Sequence, residues 1–150
     1  MTVLPTGRTY GEALLDPTHI YVGFVEDCLN ADVDIHYAVN ITGHGWRKLM
    51  RATQPFTYVI DKLPEQHTVL DFIQEHGPVE VSEMFGNYNM GAGFALYIPG
   101  KDAEKVLQLG SEPDYDFHSI LAGYIIEDGN KRVMINPVSL EFAAETLAVR

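Results

Sequence analysis

Two glycine-rich joints carry most of the residues in this chain whose types and spacing suit ligand binding. The first, Thr42-Gly43-His44-Gly45, is followed at once by three of the ten basic residues, Arg47, Lys48 and Arg51. Amides at the start of a helix carry partial positive charge, and glycines let the backbone approach a phosphate closely. The pattern predicts an anion site in which Thr42 caps the helix or donates its hydroxyl. The alternative is an ordinary capped amphipathic helix with solvated basic side chains, and the GxxxxGK[ST] phosphate loop is absent.

The second joint lies between a predicted helix and a predicted strand and ends in Asn89-Met90-Gly91-Ala92-Gly93. Asparagine tolerates a left-handed backbone and offers amide donors and acceptors, so this segment is a second candidate ligand-binding turn. Turns and close strand packing explain most isolated Gly-x-Gly sequences. A purely structural role is therefore the alternative.

Other polar clusters favour solvated surface over metal binding or catalysis. Asp32, Asp34 and His36 would share one face of a strand near His44, a spacing that suits a divalent metal but is also typical of a solvated strand edge. The acidic residues of segment 112–116 predict a solvated loop. We therefore predict no metal site. No GxSxG elbow or HExxH pair is present, and no catalytic nucleophile is predicted.

Composition restricts the class of protein. The chain has 150 residues, 46% of them hydrophobic and 21% charged, which suits one globular domain. A net charge of −11 argues against nucleic acid and anionic membranes as partners. No apolar run approaches the roughly 18 residues of a membrane helix. The lone Cys28 is expected to be a buried, inert thiol and fits a reducing cytoplasm.

The elements that must position these residues alternate between strands and helices. Residues 1–19 predict an arm or leader, and residues 20–150 a single domain. Strands are predicted over 20–25, 35–41, 56–60, 94–98, 120–127 and 132–135. Helices are predicted over 24–29, 46–50, 69–73, 81–85, 102–109 and 139–148.

The connections between these elements predict an α+β fold, a mixed β-sheet with helices packed on it. Asp128-Gly129-Asn130 predicts a hairpin that joins the last two strands, because such turns need a positive φ. Helix 102–109 predicts a right-handed crossover if the strands 94–98 and 120–127 are parallel.

Three segments of the chain resemble one enzyme family, the aminoimidazole ribonucleotide (AIR) synthases. Gly11 to Val22 is similar to that family's Gly-Glu-x-Leu-Leu-x-Pro-Thr-x-Ile-Tyr-Val segment. Asn40 to Gly45 resembles its His-Ile-Thr-Gly-Gly-Gly turn, and Glu83 to Gly93 its Glu-Met-x-x-x-Phe-Asn-Met-Gly-x-Gly run. The three segments occur in the family's order, and the resemblance spans most of the chain from about residue 10 to 138.

The resemblance implies the C-terminal α+β domain of an AIR synthase, without the N-terminal domain that binds ATP and forms the homodimer. These enzymes use ATP and Mg2+ to activate the formyl oxygen of formylglycinamidine ribonucleotide; an internal nitrogen then closes the imidazole ring, and ADP and phosphate leave. The resemblance and the anion-site interpretation together nominate ten residues for substrate or phosphate binding. They are Thr42, Gly43, His44, Gly45, Arg47, Arg51, Asn89, Met90, Gly91 and Gly93.

Two residues of the first joint depart from the family pattern. Asn40 stands where the family has His, which replaces a titratable side chain by an amide, and His44 replaces the middle Gly, which adds bulk. We expect this chain alone not to hydrolyse ATP. Two other interpretations stay open: a non-catalytic nucleotide- or partner-binding module, and another ATP-using enzyme of the superfamily, such as thiamine monophosphate kinase, hydrogenase-maturation protein or selenophosphate synthetase.

Overall fold

A computed structural model describes residues 2–147 of the chain. The α-helices are α1 (Tyr10–Leu14), α2 (Val22–Asn30), α3 (Thr68–His76), α4 (Val81–Asn87) and α5 (Ala103–Leu109). The strands are β1 (Tyr37–Asn40), β2 (Thr57–Ile60), β3 (Phe94–Tyr97), β4 (Gly123–Ile126), β5 (Arg132–Ile135) and β6 (Leu140–Ala143). Short 3-10 helices cover Gly45–Arg51, Gly100–Asp102, Asn136–Val138 and Ala144–Leu147.

The strands form two sheets. β1 and β3 make an antiparallel two-stranded ribbon in which Tyr37 lies opposite Tyr97. The other sheet has the order β4-β2-β5-β6, with β2 parallel to β5 and the other two pairs antiparallel. This architecture confirms the predicted α+β class with a mixed sheet.

The larger core lies between the four-stranded sheet and the 3-10 helix Gly45–Arg51. All four residues of β2 are buried, as expected of a central strand covered on both faces. Trp46, Leu49 and Met50 of the 3-10 helix pack in the same core, as their predicted helical spacing requires. The first candidate turn is thereby anchored at its C-terminal side.

A smaller core lies between α2 and α5. It contains Phe24, Cys28, Val33 and Val106. The prediction that Cys28 is buried is confirmed, and burial together with the nearby Asp27 carboxylate raises the pKa of its thiol. Within residues 2–147, no helix combines the length and hydropathy needed to cross a membrane.

The predicted pairing of the C-terminal strands is wrong. Gly129 has the positive φ (76°) expected of a turn, but β4 and β5 do not pair with each other. β2, apolar on both faces, takes the buried position between them and pairs with each. The predicted crossover is also wrong, because β3 belongs to the ribbon and β4 to the other sheet.

The helix predicted over 139–148 is, in its described part, mainly the strand β6 followed by a short 3-10 turn. Ser139 adopts a left-handed backbone (φ 53°), which ends the preceding 3-10 helix. Leu140 and Phe142 then pack on the core, and the residue after each is exposed. This alternation is the pattern of a β-strand, not of a helix. Ala148 lies outside the described residues.

The strand predicted over 20–25 is also wrong. α2 begins at Val22, and it buries Phe24 and Cys28, which are four positions apart on one helical face. The segment contains β-branched residues that favour a strand, but the four-residue spacing of these two core residues places both of them in the core only if the segment is a helix.

Residues 2–19 are folded rather than extended. Thr9 caps α1, and the Glu12 carboxylate accepts a hydrogen bond from the Thr9 amide at 2.8 Å, which completes a capping box. Arg8 pairs with Asp16 at 2.6 Å. The division of the chain at residues 19 and 20 stays a prediction.

Candidate functional site

The β1–β3 ribbon brings the two predicted glycine joints together. We call Thr42–Gly45 the first turn and Asn89–Gly93 the second turn. β1 ends opposite the start of β3, and just beyond that end the Ile41 amide donates to the Gly93 carbonyl at 2.9 Å. The first turn therefore leaves the ribbon at the end where the second turn joins it. Antiparallel pairing makes neighbours of two joints that are more than 40 positions apart.

Trp46 ties the two turns to each other. Its indole N–H donates to the Asn89 carbonyl at 2.8 Å, and only 2% of the residue is exposed. The Asn89 side-chain oxygen accepts from the Gly91 amide at 3.2 Å, which shapes the second turn locally. Met90, at φ 47°, is buried. The second turn is thus held by the helix that follows the first.

The two glycines of the first turn lie in different surroundings. The Gly45 amide donates to the Thr42 carbonyl at 2.6 Å, which closes the turn. Gly45 has φ 52°, and a Cβ there would overlap the Phe85 carbonyl oxygen. A Cβ on Gly43 would meet no atom within 4 Å. Packing therefore requires glycine at 45, whereas the space beside Gly43 is open.

The chain itself fills the space around the second turn. Gly91 has φ 89°, and the Glu65 carbonyl oxygen lies where its Cβ would be. The Tyr21 hydroxyl occupies the corresponding position beside Gly93. Burial raises the pKa of the Tyr21 phenol. Packing within this chain therefore requires glycine at 91, whereas a side chain at 93 would have to displace the Tyr21 side chain.

The Arg47 guanidinium makes all its described hydrogen bonds within the chain. Its Nε and Nη2 donate to the Gly86 carbonyl at 3.0 and 2.5 Å, and Nε also reaches the His44 carbonyl at 3.3 Å. Nη1 donates to the Thr146 carbonyl at 3.1 Å, and Nη2 to Asn87 Oδ1 at 3.2 Å. These bonds join the first turn, the end of α4 and the last 3-10 helix.

Lys48 is the basic residue whose side chain contacts the Thr42 side chain of the first turn. Its ammonium donates a hydrogen bond to the Thr42 hydroxyl. Burial and the neighbouring Arg51 lower the pKa of Lys48. The sequence shows Lys48 within the basic run, but the nominated residues omit it. Its place in the basic run directly after the glycine turn is the signal in the sequence that points to it.

Of the two residues that depart from the family pattern, Asn40 lies just before the first turn and His44 lies within it. Asn40 is exposed at the end of β1, and His44 is half-buried directly before the 3-10 helix. Away from the turns, His36 Nε2 lies 3.2 Å from Asp34 Oδ2, and both side chains are exposed. Within residues 2–147, no group of three or more His, Cys, Asp or Glu is placed to hold a metal ion.

The fold and the paired turns define an α+β domain in which two backbone turns lie side by side, with a lysine ammonium at the first of them. Comparison with known proteins identifies its family. The phosphoribosylformylglycinamidine cyclo-ligase of Methanocaldococcus jannaschii is 36% identical over 135 residues, which are 87% of this chain and 38% of that protein. The corresponding enzyme of Methanopyrus kandleri is 42% identical over 109 residues, 73% of this chain and 31% of that protein.

A third relative aligns with almost the whole chain. The phosphoribosylformylglycinamidine cyclo-ligase of Methanococcus vannielii is 36% identical over 146 residues, which are 97% of this chain and 39% of that protein. No protein-family model matches the chain. The chain belongs to the phosphoribosylformylglycinamidine cyclo-ligase (AIR synthase) family, and it spans between 31% and 39% of the length of these relatives. The resemblance found in the three sequence segments is confirmed.

Proposed function

We propose that this chain is the C-terminal part of an AIR synthase. In the complete enzyme it would act on formylglycinamidine ribonucleotide and yield aminoimidazole ribonucleotide, with ATP converted to ADP and phosphate. The observation that carries the proposal is the pairing of the two turns, because the segments that match the family's glycine motifs meet at one end of the ribbon. We place the enzyme in the cytoplasm, which the single thiol of Cys28 suits.

In this proposal the chain positions the substrate and performs no covalent step. Thr42 and the open backbone at Gly43 face the substrate, and Arg47 holds the first turn against α4. Ring closure after activation of the formyl oxygen is an intramolecular attack, so correct placement of the two reacting ends supplies much of the rate. We propose that ATP and Mg2+ are bound outside this chain, in an N-terminal domain that also forms the homodimer.

Exposed apolar side chains near the start of the chain support the enzyme proposal over a stand-alone module. Leu15 is 83% exposed and Ile20 80%, and Val3, Leu14 and Val22 are also more than half exposed. Exposed apolar side chains that form a patch mark interfaces with other domains or proteins. We propose that the N-terminal domain covers them.

The experiment is reconstitution of the reaction in trans. The chain and a separately produced AIR synthase N-terminal domain are mixed with formylglycinamidine ribonucleotide and Mg-ATP, and ADP release is measured. We expect activity only in the mixture. Activity of this chain alone would contradict the proposal.

Two further arms test the other interpretations. Binding of the two domains without turnover would favour a non-catalytic module. ADP release with thiamine monophosphate or selenide, and none with formylglycinamidine ribonucleotide, would favour another enzyme of the superfamily. In an intact two-domain enzyme, replacement of both Arg47 and Arg51 by alanine tests the nominated basic residues, and unchanged KM and kcat would remove them from the site.

A further inference from the structure

A cationic cluster borders the first turn and consists of Thr42, Lys48 and Arg51. The Lys48 ammonium donates to the Thr42 hydroxyl, and Arg51 is close enough to act electrostatically on Lys48. Lys48 and Arg51 lie in the same 3-10 segment, on either side of a kink at Met50. The neighbouring Arg47 is excluded from this cluster, because its guanidinium is bonded to backbone carbonyls.

The charge of this cluster is not balanced by the described part of the chain. Residues 35–60 contain no Asp or Glu, although the chain has 21 acidic residues against 10 basic ones. Within residues 2–147, neither Lys48 nor Arg51 has a carboxylate partner within 4 Å. Adjacent like charges destabilise each other unless an anion lies between them. The cluster therefore favours an anionic ligand.

The unused hydrogen-bond donors indicate the kind of anion. A lysine ammonium has three protons, and Lys48 uses one of them on Thr42. The Thr42 hydroxyl accepts that bond, so its own proton is free to donate. Arg51 makes no side-chain hydrogen bond among residues 2–147 and offers a planar pair of N–H groups. Two cations and a hydroxyl suit a dianionic group with several acceptor oxygens, and the space beside Gly43 admits it.

We propose that Thr42, Lys48 and Arg51 bind a phosphate group. The assignment of this group to the phosphate monoester of the ribonucleotide substrate rests on the proposed function. Free inorganic phosphate, the product of ATP use, is the other source of the same chemistry. Lys48 is the central residue of the site.

The test is a titration of the isotopically labelled 150-residue chain followed by NMR at low ionic strength and pH 8, where a phosphate monoester is a dianion. The probes are ribose 5-phosphate, inorganic phosphate and, as a neutral control, ribose. We expect ribose 5-phosphate to shift the amide signals of residues 42–45 and 51, and ribose to shift none of them. Added salt should weaken the binding, since the site is close to solvent.

Matched variants separate the site from general electrostatics. Lys48→Met keeps the apolar stem and removes the charge, and we expect it to raise the dissociation constant at least about tenfold, as for a lost charge-assisted hydrogen bond. Lys101→Met, which removes an exposed charge outside the cluster, should leave the dissociation constant unchanged. Thr42→Val, which removes the hydroxyl from an exposed position, gives an independent second variant that should weaken binding several-fold.

The possible results are distinct. Wild-type affinity in both Lys48→Met and Thr42→Val, or shifts confined to other residues, would overturn the proposal. Binding of ribose 5-phosphate in preference to inorganic phosphate supports the site with the substrate as its source. Binding of inorganic phosphate alone supports the site with the product as its source. The titration needs neither ATP nor a second domain. It can therefore show phosphate binding even if reconstitution of the reaction fails, and reconstitution can succeed even if the titration shows no binding at this site.

Discussion

The two turns have similar sequences, Gly-His-Gly in the first and Gly-Ala-Gly in the second, but different surroundings. Beside the second turn, Glu65 and Tyr21 occupy the space next to Gly91 and Gly93. Beside the first turn, backbone atoms at the end of α4 fill the space next to Gly45, whereas the space next to Gly43 is open. The Lys48 ammonium lies at the same turn. A glycine motif of this kind therefore combines residues that fold the chain with a residue that leaves space for a ligand. The neighbours of each glycine show which role applies.

The largest effect is expected for Gly45→Ala. The new methyl group would overlap backbone atoms at the end of α4, and the backbone at φ 52° is unfavourable for alanine. We expect the free energy of unfolding, measured by urea denaturation, to fall by about 4 kcal/mol. The control Gly43→Ala should change it by less than about 1 kcal/mol. Equal losses in the two variants would show that the first turn does not contain two kinds of glycine.

Gly91→Ala is expected to be the next most damaging change. Its φ of 89° and the Glu65 carbonyl both oppose a side chain. We expect a loss of about 3 kcal/mol in the free energy of unfolding, smaller than at Gly45 because Glu65 lies outside the regular elements and its backbone has more freedom to shift. A loss below that of Gly43→Ala would contradict the conclusion that packing fills the second turn.

Trp46→Phe tests the link between the turns. It removes the indole donor to the Asn89 carbonyl and part of a buried ring. We expect a loss of about 2 kcal/mol in the free energy of unfolding, together with faster hydrogen exchange at the Ala92 amide, which donates to the same carbonyl. If exchange at Ala92 is unchanged while stability falls, the effect is one of packing volume and the turns are independent.

The smallest effect is expected for the charge of Lys48. Burial and Arg51 lower its pKa in the folded chain below the 10.5 of an ordinary lysine, so folding disfavours its charged form. That penalty is fully present below the folded pKa and disappears as the pH rises toward 10.5. Lys48→Met should therefore raise the free energy of unfolding at neutral pH, by at most about 0.5 kcal/mol because water screens the ammonium.

Unfolding curves collected between pH 7 and the alkaline range check this prediction. The advantage of the methionine variant should shrink with rising pH in the absence of phosphate. Lys101→Met serves as the comparison and should show no such trend. A constant difference across the range would mean that Lys48 titrates as a solvated lysine.

Local periodicity predicted the elements that carry the site. The alternation from Ile35 to Ile41 gave β1, and the spacing of Trp46, Leu49 and Met50 gave the buried face of the helix after the first turn. Neither pattern contains the long-range information that places β2 between β4 and β5. Segment 140–143 became a strand because the left-handed residue before it ended the helical turn and the edge of β5 was available for pairing.

The site was predicted at the level of its segments, and Lys48, the residue that contacts the Thr42 side chain, was missed. An α-helix would align positions 47 and 51, four residues apart, but the structure has a 3-10 segment here that is kinked at Met50. The sequence indicated a helix but not its type. In this segment Lys48 contacts the Thr42 hydroxyl, whereas Arg47 is bonded to backbone carbonyls.

The central position of β2 has a consequence for how the chain folds. Its nearest partner in the sheet along the chain is β4, and Ile60 pairs with Gly123, more than 60 positions away. β5 pairs locally with β6, but β2 has no partner close to it along the chain, so a long loop must close before β2 gains any hydrogen bonds in the sheet, which slows folding. A nascent chain that ends before β4 would present both edges of an apolar strand to other chains, and aggregation at that stage would compete with completion of the sheet.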